Sequence, residues 1–285
     1  MNITSTHHIG RILKVLVYIE EHLDEEMTLE MMAEIAAISP FYFHRLFQVY
    51  MGVTATDYIK KLRLQKAEEK LRYSDEAITK IALDVGYESP AAFSKVFNQV
   101  MGLSPRQYRK AMQPLVETML KRTCLANKED PKLKPEILKR EDEIVLFVRR
   151  TGDYDEIPFQ AFQALLEFLK KETFKIKAFY SIPLDDPQIV GKANCRFDAC
   201  AVVEGVVAPK GDIGKKKIPG GRFAVFAHLG PYKDLTSTFE KIFRIWYPNS
   251  KEELADTLPF CEHPDMEDKS IPDANRTTKI YIPIL

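Results

Sequence analysis

The sequence has few of the residues that build metal centres and disulfide scaffolds. Its 285 residues include 4 cysteines, 6 histidines and 1 tryptophan. The cysteines lack the paired two-residue spacing of zinc sites, and the histidines are scattered. The cysteines are Cys124, Cys195, Cys200 and Cys261. This pattern predicts ordinary reduced thiols, no metal site and no cofactor.

Long apolar runs are also absent from the sequence. No stretch approaches the roughly 18 apolar residues of a membrane-spanning helix. The N-terminus, MNITSTHHIG, lacks the apolar core of a secretory signal peptide. We therefore expect a cytoplasmic protein with no membrane partner. The length allows two domains, each with its own core.

An excess of one charge is missing as well, because 41 basic residues balance 41 acidic ones. The balance is uneven along the chain. Residues 40–112 contain twelve basic and seven acidic side chains, an excess of five, whereas the first 39 residues are acidic. Phosphate neutralisation needs a local basic surface rather than a basic protein. The neutral total therefore does not exclude binding of nucleic acid by residues 40–112.

An internal repeat organises this basic region. The stretch 39–58 recurs at 89–108, with matching Ser-Pro, phenylalanine, Met-Gly and tyrosine positions. Each copy opens with a serine that can cap free amides and a proline that sets the first helical turn, so a helix is expected to start there. The phenylalanines recur at helical spacing. They predict that one face of each helix is buried.

The other face of each predicted helix carries polar side chains. These residue types read base edges in a DNA groove or contact phosphates. A solvated helix face is the ordinary alternative, but the repetition of the pattern favours DNA contact. The predicted DNA-binding residues are Phe41, His44, Arg45 and Gln48 in the first copy and Ala91, Ser94, Lys95 and Asn98 in the second.

A short apolar helix and a turn precede each copy, which is the order of elements in a helix-turn-helix. Gly86 suits a positive φ in the second turn, whereas Ala37 in the first would cost about 1 kcal/mol in that conformation. Residues 54–72 read as one helix of about 28 Å. That length is close to the roughly 34 Å between successive major grooves. On this helix, Lys60 and Arg63 either contact phosphate or brace the helix.

The second copy resembles a known signature. The stretch ITKIALDVGYESPAAFSKVFNQVMGLSPRQYRK, at 78–110, resembles the second helix-turn-helix of the AraC/XylS transcription regulators. The resemblance covers about residues 8–112. It implies that residues 1–112 form an all-α, seven-helix, two-lobed DNA-binding domain working in a bacterium. Double-stranded DNA and RNA polymerase are then the expected partners, and activation or repression stays open.

The pattern changes after residue 112. Residues 113–133 are rich in proline and charge and are predicted to form a linker, either irregular throughout or with one short helix. From residue 134 the order strand, Gly-x-Tyr turn, helix, two strands occurs twice, around Gly152 and again around Gly230. This predicts an α+β domain of duplicated β-α-β-β units. The units would share one mixed or antiparallel sheet, with both helices on one face and a groove between the halves.

Residues 134–285 resemble the GyrI-like (SHS2-type) effector-binding domain. The resemblance rests on CRFDAC at 195–200, IPGGRFAVFAHLGPY at 218–232, FRIWYP at 243–248 and KIYIPI at 279–284. It implies a small-molecule effector, often aromatic or cationic, and a ligand-contacting glutamate that matches Glu262. The family usually has a tyrosine two residues later, where this chain has Pro264.

A carboxylate surrounded by aromatic rings suits a cation, since charge pairing offsets desolvation and ring faces attract positive charge. The predicted ligand-binding residues are Glu262, Trp246, Tyr154, Tyr180, Tyr232 and Phe147. As alternatives, Trp246 packs in the core, and Tyr154 and Tyr232 only fix the two turns.

The sequence therefore predicts a transcription regulator that reads two successive major-groove segments and responds to a small ligand. It is not expected to be an enzyme, since no nucleophile elbow or phosphate loop is present. Two alternatives stay open. Some GyrI-like domains are reported as hydrolases, in which case Glu262 would act as a general base. Otherwise the second domain would contact a protein such as gyrase or RNA polymerase.

Overall fold

A computed structural model describes residues 3–124, 133–171, 174–205 and 208–285. The chain divides into two compact units, Met1–Leu125 and Ala126–Leu285. The described part of the first unit is helical, and the second unit contains one large antiparallel sheet with helices. The predicted fold classes are confirmed.

Seven helices make up the described part of the first unit. They are α1 (Ile3–Glu21), α2 (Leu29–Ile35), α3 (Pro40–Met51), α4 (Ala55–Tyr73), α5 (Ile78–Asp84), α6 (Pro90–Met101) and α7 (Pro105–Cys124). Helices α2 and α3 form the first helix-turn-helix, α5 and α6 form the second, and α4 lies between them in the chain. The predicted linker begins differently, because α7 continues through residues 113–124. Residues 125–132 of that linker lie outside the described part.

The repeated sequence signals act as caps of α3 and α6. Ser39 and Ser89 accept hydrogen bonds from the backbone N–H groups of Tyr42 and Ala92, and each is followed by proline in the first turn. Both helices end at a glycine in the left-handed conformation, Gly52 at φ 71° and Gly102 at φ 72°. The two helices therefore start and stop at equivalent positions.

The apolar faces of α3 and α6 form the centres of the two lobes. Phe43 and Phe47 in α3 and Phe93 and Phe97 in α6 are fully buried. Val100, which continues the helical spacing of Phe93 and Phe97 and is therefore expected on the same face, is instead 52% exposed. It lies in the last turn of α6, where the helix has passed beyond the packed surface.

The turns before α3 and α6 both use a left-handed residue. Gly86 has φ 80°, and Ala37 has φ 52°. The positive φ expected at Gly86 is therefore confirmed, and Ala37 adopts the same conformation despite its side chain. A Cβ carbon costs free energy in this conformation, whereas glycine adopts it readily.

Eight strands form the sheet of the second unit. They are β1 (Glu136–Arg140), β2 (Glu143–Gly152), β3 (Ile176–Pro183), β4 (Cys195–Val203), β5 (Ile213–Ile218), β6 (Gly221–Leu229), β7 (Phe260–Glu262) and β8 (Thr277–Ile284). Their order is β1-β6-β8-β7-β3-β4-β2-β5, and every pairing is antiparallel. Counted across the sheet, the last four strands correspond to the first four in reverse order, so that β7 matches β3, β8 matches β4, β6 matches β2 and β1 matches β5. The predicted duplication therefore appears as two half-sheets that join where β7 pairs with β3.

The second unit has four described α-helices, of which α8 (Ile157–Lys171) and α10 (Leu235–Lys241) cover one face of the sheet. The other two are α9 (Pro187–Val190) and α11 (Tyr247–Asn249), with a π-helical turn at Ile242–Trp246 between α10 and α11. Helix α8 packs over one half-sheet, and α10 with the π turn packs over the other. Ser181 and Cys261 are paired across β3 and β7 and continue these two apolar clusters, so both helices lie on the same face.

The opposite face, which we call the Tyr180 face, holds one continuous row of side chains. The row is set by strand register, since Phe147 pairs with Cys200, Cys200 with Tyr180, and Tyr180 with Glu262. Residues directly opposite in an antiparallel sheet point to the same side. Phe147, Tyr180 and Glu262 therefore share this face.

The sheet curls strongly at one end. The N–H of Gly220, in the turn between β5 and β6, donates to Asp142, in the turn between β1 and β2, at 2.8 Å. A Cβ carbon on Gly220 would lie only 2.5 Å from the carbonyl oxygen of Arg140, so only glycine fits this approach. The two outer pairs of strands, β1 with β6 and β2 with β5, thus come together at this end.

Candidate functional site

The exposed face of α3 carries all four residues predicted to contact DNA. Phe41 is 71% exposed, and His44, Arg45 and Gln48 are exposed beside it. The guanidinium carbon of Arg45 lies 5.5 Å from the centre of the Phe41 ring. The aromatic ring therefore supports a cation at the surface of the helix.

The equivalent face of α6 carries smaller side chains. Ala91, Lys95 and Asn98 are exposed, and Ser94 is half-buried. The buried phenylalanines of α6 lie on the other side of the helix. Both helices thus turn the predicted contact residues outward, and both are fixed from beneath by a packed aromatic core.

The cations of the two exposed faces differ from other basic residues of the unit. Arg72 pairs with Glu68, and Lys70 with Glu76 and Asp84. Among the described residues, neither Arg45 nor Lys95 has an ion-pair partner. Their charge is not neutralised within the unit, which is the condition for attracting a phosphate backbone.

Arg63 braces the fold rather than facing outward. Its guanidinium donates to the carbonyl oxygens of Leu23 at 2.9 Å and Glu25 at 2.6 Å, and burial lowers its pKa. Lys60 is half-buried. Both side chains line an open cleft of about 430 Å³. Of the two roles predicted for Arg63, these contacts favour bracing.

The six residues predicted to bind a ligand are divided between the two faces of the sheet. Phe147, Tyr180 and Glu262 lie together on the Tyr180 face, as the register requires. The other three lie on the helix side, so the six residues do not form one pocket. The reason is the two-residue period of strands, which cannot be assigned to a face until the pairing is known.

The three residues on the helix side have packing partners there. Trp246 packs edge-to-face on Phe226, with ring centres 4.9 Å apart. The hydroxyl of Tyr154 donates to the carbonyl oxygens of Asp185 and Arg196 at 2.9 and 3.0 Å, and burial raises its pKa. The ring of Tyr232 packs edge-to-face on His263. These contacts match the alternative roles in the core and the turns.

A cluster around Tyr180, which we call the Arg140 cage, was not predicted from the sequence. The guanidinium carbon of Arg140 lies 5.1, 5.2 and 4.7 Å from the ring centres of Tyr180, Phe260 and Tyr281. Its Nη2 donates to Glu143 and to the Tyr180 hydroxyl, each at 2.6 Å. The strand alternation of Tyr281 and Phe260 was the available signal, but the position of Arg140 was not readable from it.

Glu262 adjoins this cage through Tyr281. The tyrosine hydroxyl donates to Oε2 of Glu262 at 2.5 Å, and Nζ of Lys279 lies 3.6 Å from the same oxygen. Burial and this hydrogen bond raise the pKa of Tyr281. Tyr281 thus supplies a phenol to the carboxylate of Glu262.

A second charged cluster fixes Phe147. Fully buried Asp198 accepts two hydrogen bonds from Arg149, at 2.7 and 2.8 Å, and one from Lys216 at 2.5 Å. Burial alone would raise the pKa of Asp198, but the two cations outweigh it and hold the value at about 2. Both cations also lie over the Phe147 ring. The Phe147 ring thus already contacts two cations of the protein itself.

The described residues contain no group of three or more His, Cys, Asp or Glu side chains that could hold a metal ion. Cys195, Cys200 and Cys261 are free and buried, and the side chain of Cys124 lies outside the described part. Burial raises the pKa of the Cys200 and Cys261 thiols to about 12. Among the described helices, none is both long and apolar enough to cross a bilayer.

Sequence profiles of two families match the chain. Residues 32–111 match a family described as a helix-turn-helix domain, and residues 133–285 match the GyrI-like small molecule binding domain. The regulatory protein SoxS of Escherichia coli K12 is 34% identical over 102 residues, which cover 36% of this chain and 95% of SoxS.

Other relatives are matched over a smaller part of their length. The regulatory protein PocR of Salmonella typhimurium LT2 is 35% identical over 105 residues, covering 37% of this chain and 35% of PocR. The chain therefore spans about a third of the first curated relatives that it matches.

Two solved structures illustrate the structural similarity. The DNA-binding domain of the transcriptional factor AdpA, in complex with a target DNA, has 29% identity and a TM-score of 0.35, covering 36% of this chain and 92% of that domain. The EcmrR–DNA complex has 15% identity and a TM-score of 0.48, covering 90% of this chain and 99% of that protein.

Proposed function

Because the chain belongs to the AraC-type helix-turn-helix regulators and, over residues 133–285, to the GyrI-like small-molecule binding domains, we propose that it is a ligand-responsive transcription regulator. Its first unit would read two successive major-groove segments of double-stranded DNA. Its second unit would bind a small effector on the Tyr180 face. RNA polymerase is the further partner that this proposal includes.

The observation that carries DNA reading is the equivalence of α3 and α6. Each helix begins and ends at matching caps and presents an exposed polar face with an unneutralised cation above buried phenylalanines. Helix α4 joins the two helix-turn-helix motifs and runs for 19 residues. One chain thus offers two groove-sized helices, which is the requirement for reading two adjacent segments.

DNA reading is tested by selecting an operator from random duplexes and measuring the affinity of variants for it. Arg45→Ala and Lys95→Ala should each weaken specific binding by about 1–3 kcal/mol, the range for losing one base contact. Lys175→Ala, which removes an exposed lysine of the second unit, is the charge-matched control. Wild-type affinity in both Arg45→Ala and Lys95→Ala would contradict the proposed interface.

Effector binding is supported by the carboxylates and rings of the Tyr180 face. Glu262 keeps a partly exposed carboxylate beside Tyr281, and aromatic faces next to a carboxylate favour organic cations. Thermal unfolding with a panel of aromatic cations should show stabilisation of the wild type that Glu262→Gln abolishes. An equal shift in both proteins would remove Glu262 from the site.

A hydrolase is the alternative function for which Glu262 and Tyr281 form a relevant pair. Glu262 would then act as a general base that takes a proton from water as the water attacks an electrophilic ligand. Turnover of such ligands by the wild type, lost in Glu262→Gln, would favour catalysis over sensing. A protein-interaction role would instead give capture of purified gyrase or RNA polymerase without any thermal shift from the ligand panel.

A further inference from the structure

Arg140 occupies the position that a bound cation would take in an aromatic site. Three rings lie within 5.2 Å of its guanidinium carbon, measured to the ring centres. Glu143 and the Tyr180 hydroxyl bind its Nη2 nitrogen. Ring faces combined with one carboxylate are the chemistry by which proteins hold guanidinium and ammonium groups. In this chain the cation held by the rings and the carboxylate is Arg140.

The contact spans the sheet. Arg140 belongs to the edge strand β1, and Tyr180 belongs to β3, four positions away in the strand order. Four strand spacings in a flat sheet amount to about 19 Å, beyond the reach of an arginine side chain. The contact therefore exists only because the sheet curls around its Tyr180 face. Arg140 fills the inside of that curve.

The strand that carries Arg140 is a short edge strand, held at its Arg140 end by the close approach of Gly220. It is five residues long, pairs only with β6 within the described sheet, and has three exposed residues. Edge strands with little buried surface open at low free energy. Movement of Arg140 away from the rings thus requires a change in a short peripheral element rather than in the core of the sheet.

The hydrogen bonds of Arg140 are incomplete. Nη2 has two acceptors, but Nη1 is buried without a hydrogen-bond partner among the described residues. A buried donor without an acceptor loses its hydration, and here only the ring faces offset that loss. A planar cation with fewer donors could use the same rings and the same Glu143 carboxylate at a lower desolvation cost.

From this geometry we propose that Arg140 is an internal occupant of the effector site, and that planar organic cations bind the Tyr180 face by displacing it. The inference rests on the proposed effector function and specifies its ligand class and its competitor. Two cations cannot share the three rings, since like charges at such short distance repel. Once Arg140 has left, a ligand would meet Glu143 and, through Tyr281, Glu262.

The test uses benzamidinium, a flat ring that carries a guanidinium-like fork, with neutral benzamide as its isostere. Calorimetric titration of the full chain compares the wild type with Arg140→Ala and Arg140→Gln. Lys139→Ala is the matched control, because Lys139 is the exposed neighbour on the other side of β1. Circular dichroism and thermal midpoints establish that each variant is folded.

Both Arg140 variants should bind benzamidinium at least tenfold more tightly than the wild type and than Lys139→Ala. Benzamide should not discriminate among the four proteins. In the wild type, benzamidinium should also shift the side-chain NMR signal of Arg140 Nε as the guanidinium leaves the rings. The glutamine variant keeps part of the apolar stem and a neutral polar end, so it tests the proposal even if the alanine variant is destabilised.

Equal or weaker benzamidinium binding in folded Arg140→Ala and Arg140→Gln would overturn the displacement proposal. If neutral or anionic aromatic compounds stabilise the wild type while benzamidinium does not bind any variant, effector binding stands and the role of Arg140 fails. If no compound of either panel binds any of the four proteins, the proposed effector function fails as well.

Discussion

The two helix-turn-helix motifs share a backbone frame but are stabilised by different side chains. Helices α1 and α4 both have 19 residues, and when they are aligned end to end Leu16 coincides with Glu68. Leu16 is a buried apolar residue, whereas Glu68 is a buried carboxylate. It accepts hydrogen bonds from Tyr108 and, at 2.7 Å, from Arg72. An apolar contact in the first motif is thus replaced by a charged network in the second.

The turns and caps differ in the same way. The first motif has Ala37 in the left-handed turn and Thr28 as an N-cap that bonds to Met31. The second has Gly86 in the turn and Ala77 at the N-cap, without a side-chain hydrogen bond. The first motif thus has the better N-cap, and the second has the less strained turn. The duplication has conserved how α3 and α6 are presented, while the means of holding them have diverged.

The largest effect is expected from Glu68→Leu, which gives the second motif the residue of the first. Arg72 and the Tyr108 hydroxyl would lose their shared acceptor while staying largely buried. We expect a loss of about 3 kcal/mol in stability, since removing one partner strands the other charge. Hydrogen exchange should accelerate in α5 and α6 more than in α2 and α3.

A triple variant shows whether the lost stability comes from the broken hydrogen-bond network or from the change in side-chain volume. Replacing all three members with apolar residues, as Glu68→Leu, Arg72→Leu and Tyr108→Phe, should recover much of the lost stability because no buried charge is left unpaired. Unchanged exchange in the single variant Glu68→Leu would show that this network does not hold the second motif.

The first unit could be predicted from the sequence in more detail than the second. Helical period, Ser-Pro starts and glycine ends are local signals, so the boundaries of α3 and α6 and the outward faces of Arg45 and Lys95 followed from neighbouring residues. The conformation of Ala37 was left open by the sequence, because alanine carries no signal for a positive φ, whereas Gly86 does.

The Tyr180 face could not be predicted in this way. Which of Trp246, Tyr180 and Glu262 share a face depends on strand register, a property of pairs of distant segments. The contact between Arg140 and Tyr180 depends further on the curl of the whole sheet. Neither the strand register nor the curl of the sheet can be inferred from a short stretch of sequence. The Arg140 cage was therefore not predicted.

A smaller effect is expected from exchanging the turn residues of the two motifs. Gly86→Ala should destabilise the second motif by about 2 kcal/mol, because left-handed alanine is strained. In addition, its Cβ would lie 2.6 Å from the carbonyl oxygen of Leu23 and 2.7 Å from the guanidinium of Arg63. Ala37→Gly should stabilise the first motif by at most about 1 kcal/mol.

The turn exchange is measured by urea unfolding followed through hydrogen exchange in each motif. The matched control is Gly52→Ala, which has a similar positive φ but nothing within 4 Å of the added Cβ. It carries the strain without the steric overlap. Equal losses in Gly86→Ala and Gly52→Ala would mean that contact with Leu23 and Arg63 does not contribute.

The smallest effect concerns the N-caps of α2 and α5. Thr28→Ala should cost about 1 kcal/mol, since the side chain of Thr28 satisfies an otherwise free amide of α2. Ala77→Ser should add roughly 0.5 kcal/mol to the second motif, because Ala77 is exposed and its backbone, at φ −57° and ψ 136°, is extended enough for a cap. Amide exchange in the first turns of α2 and α5 measures both changes. If Ala77→Ser leaves α5 unchanged, the first turn of α5 is held by packing of Ile81 and Ala82 rather than by its cap, and the two motifs would differ in mechanism at this position as they do at Glu68.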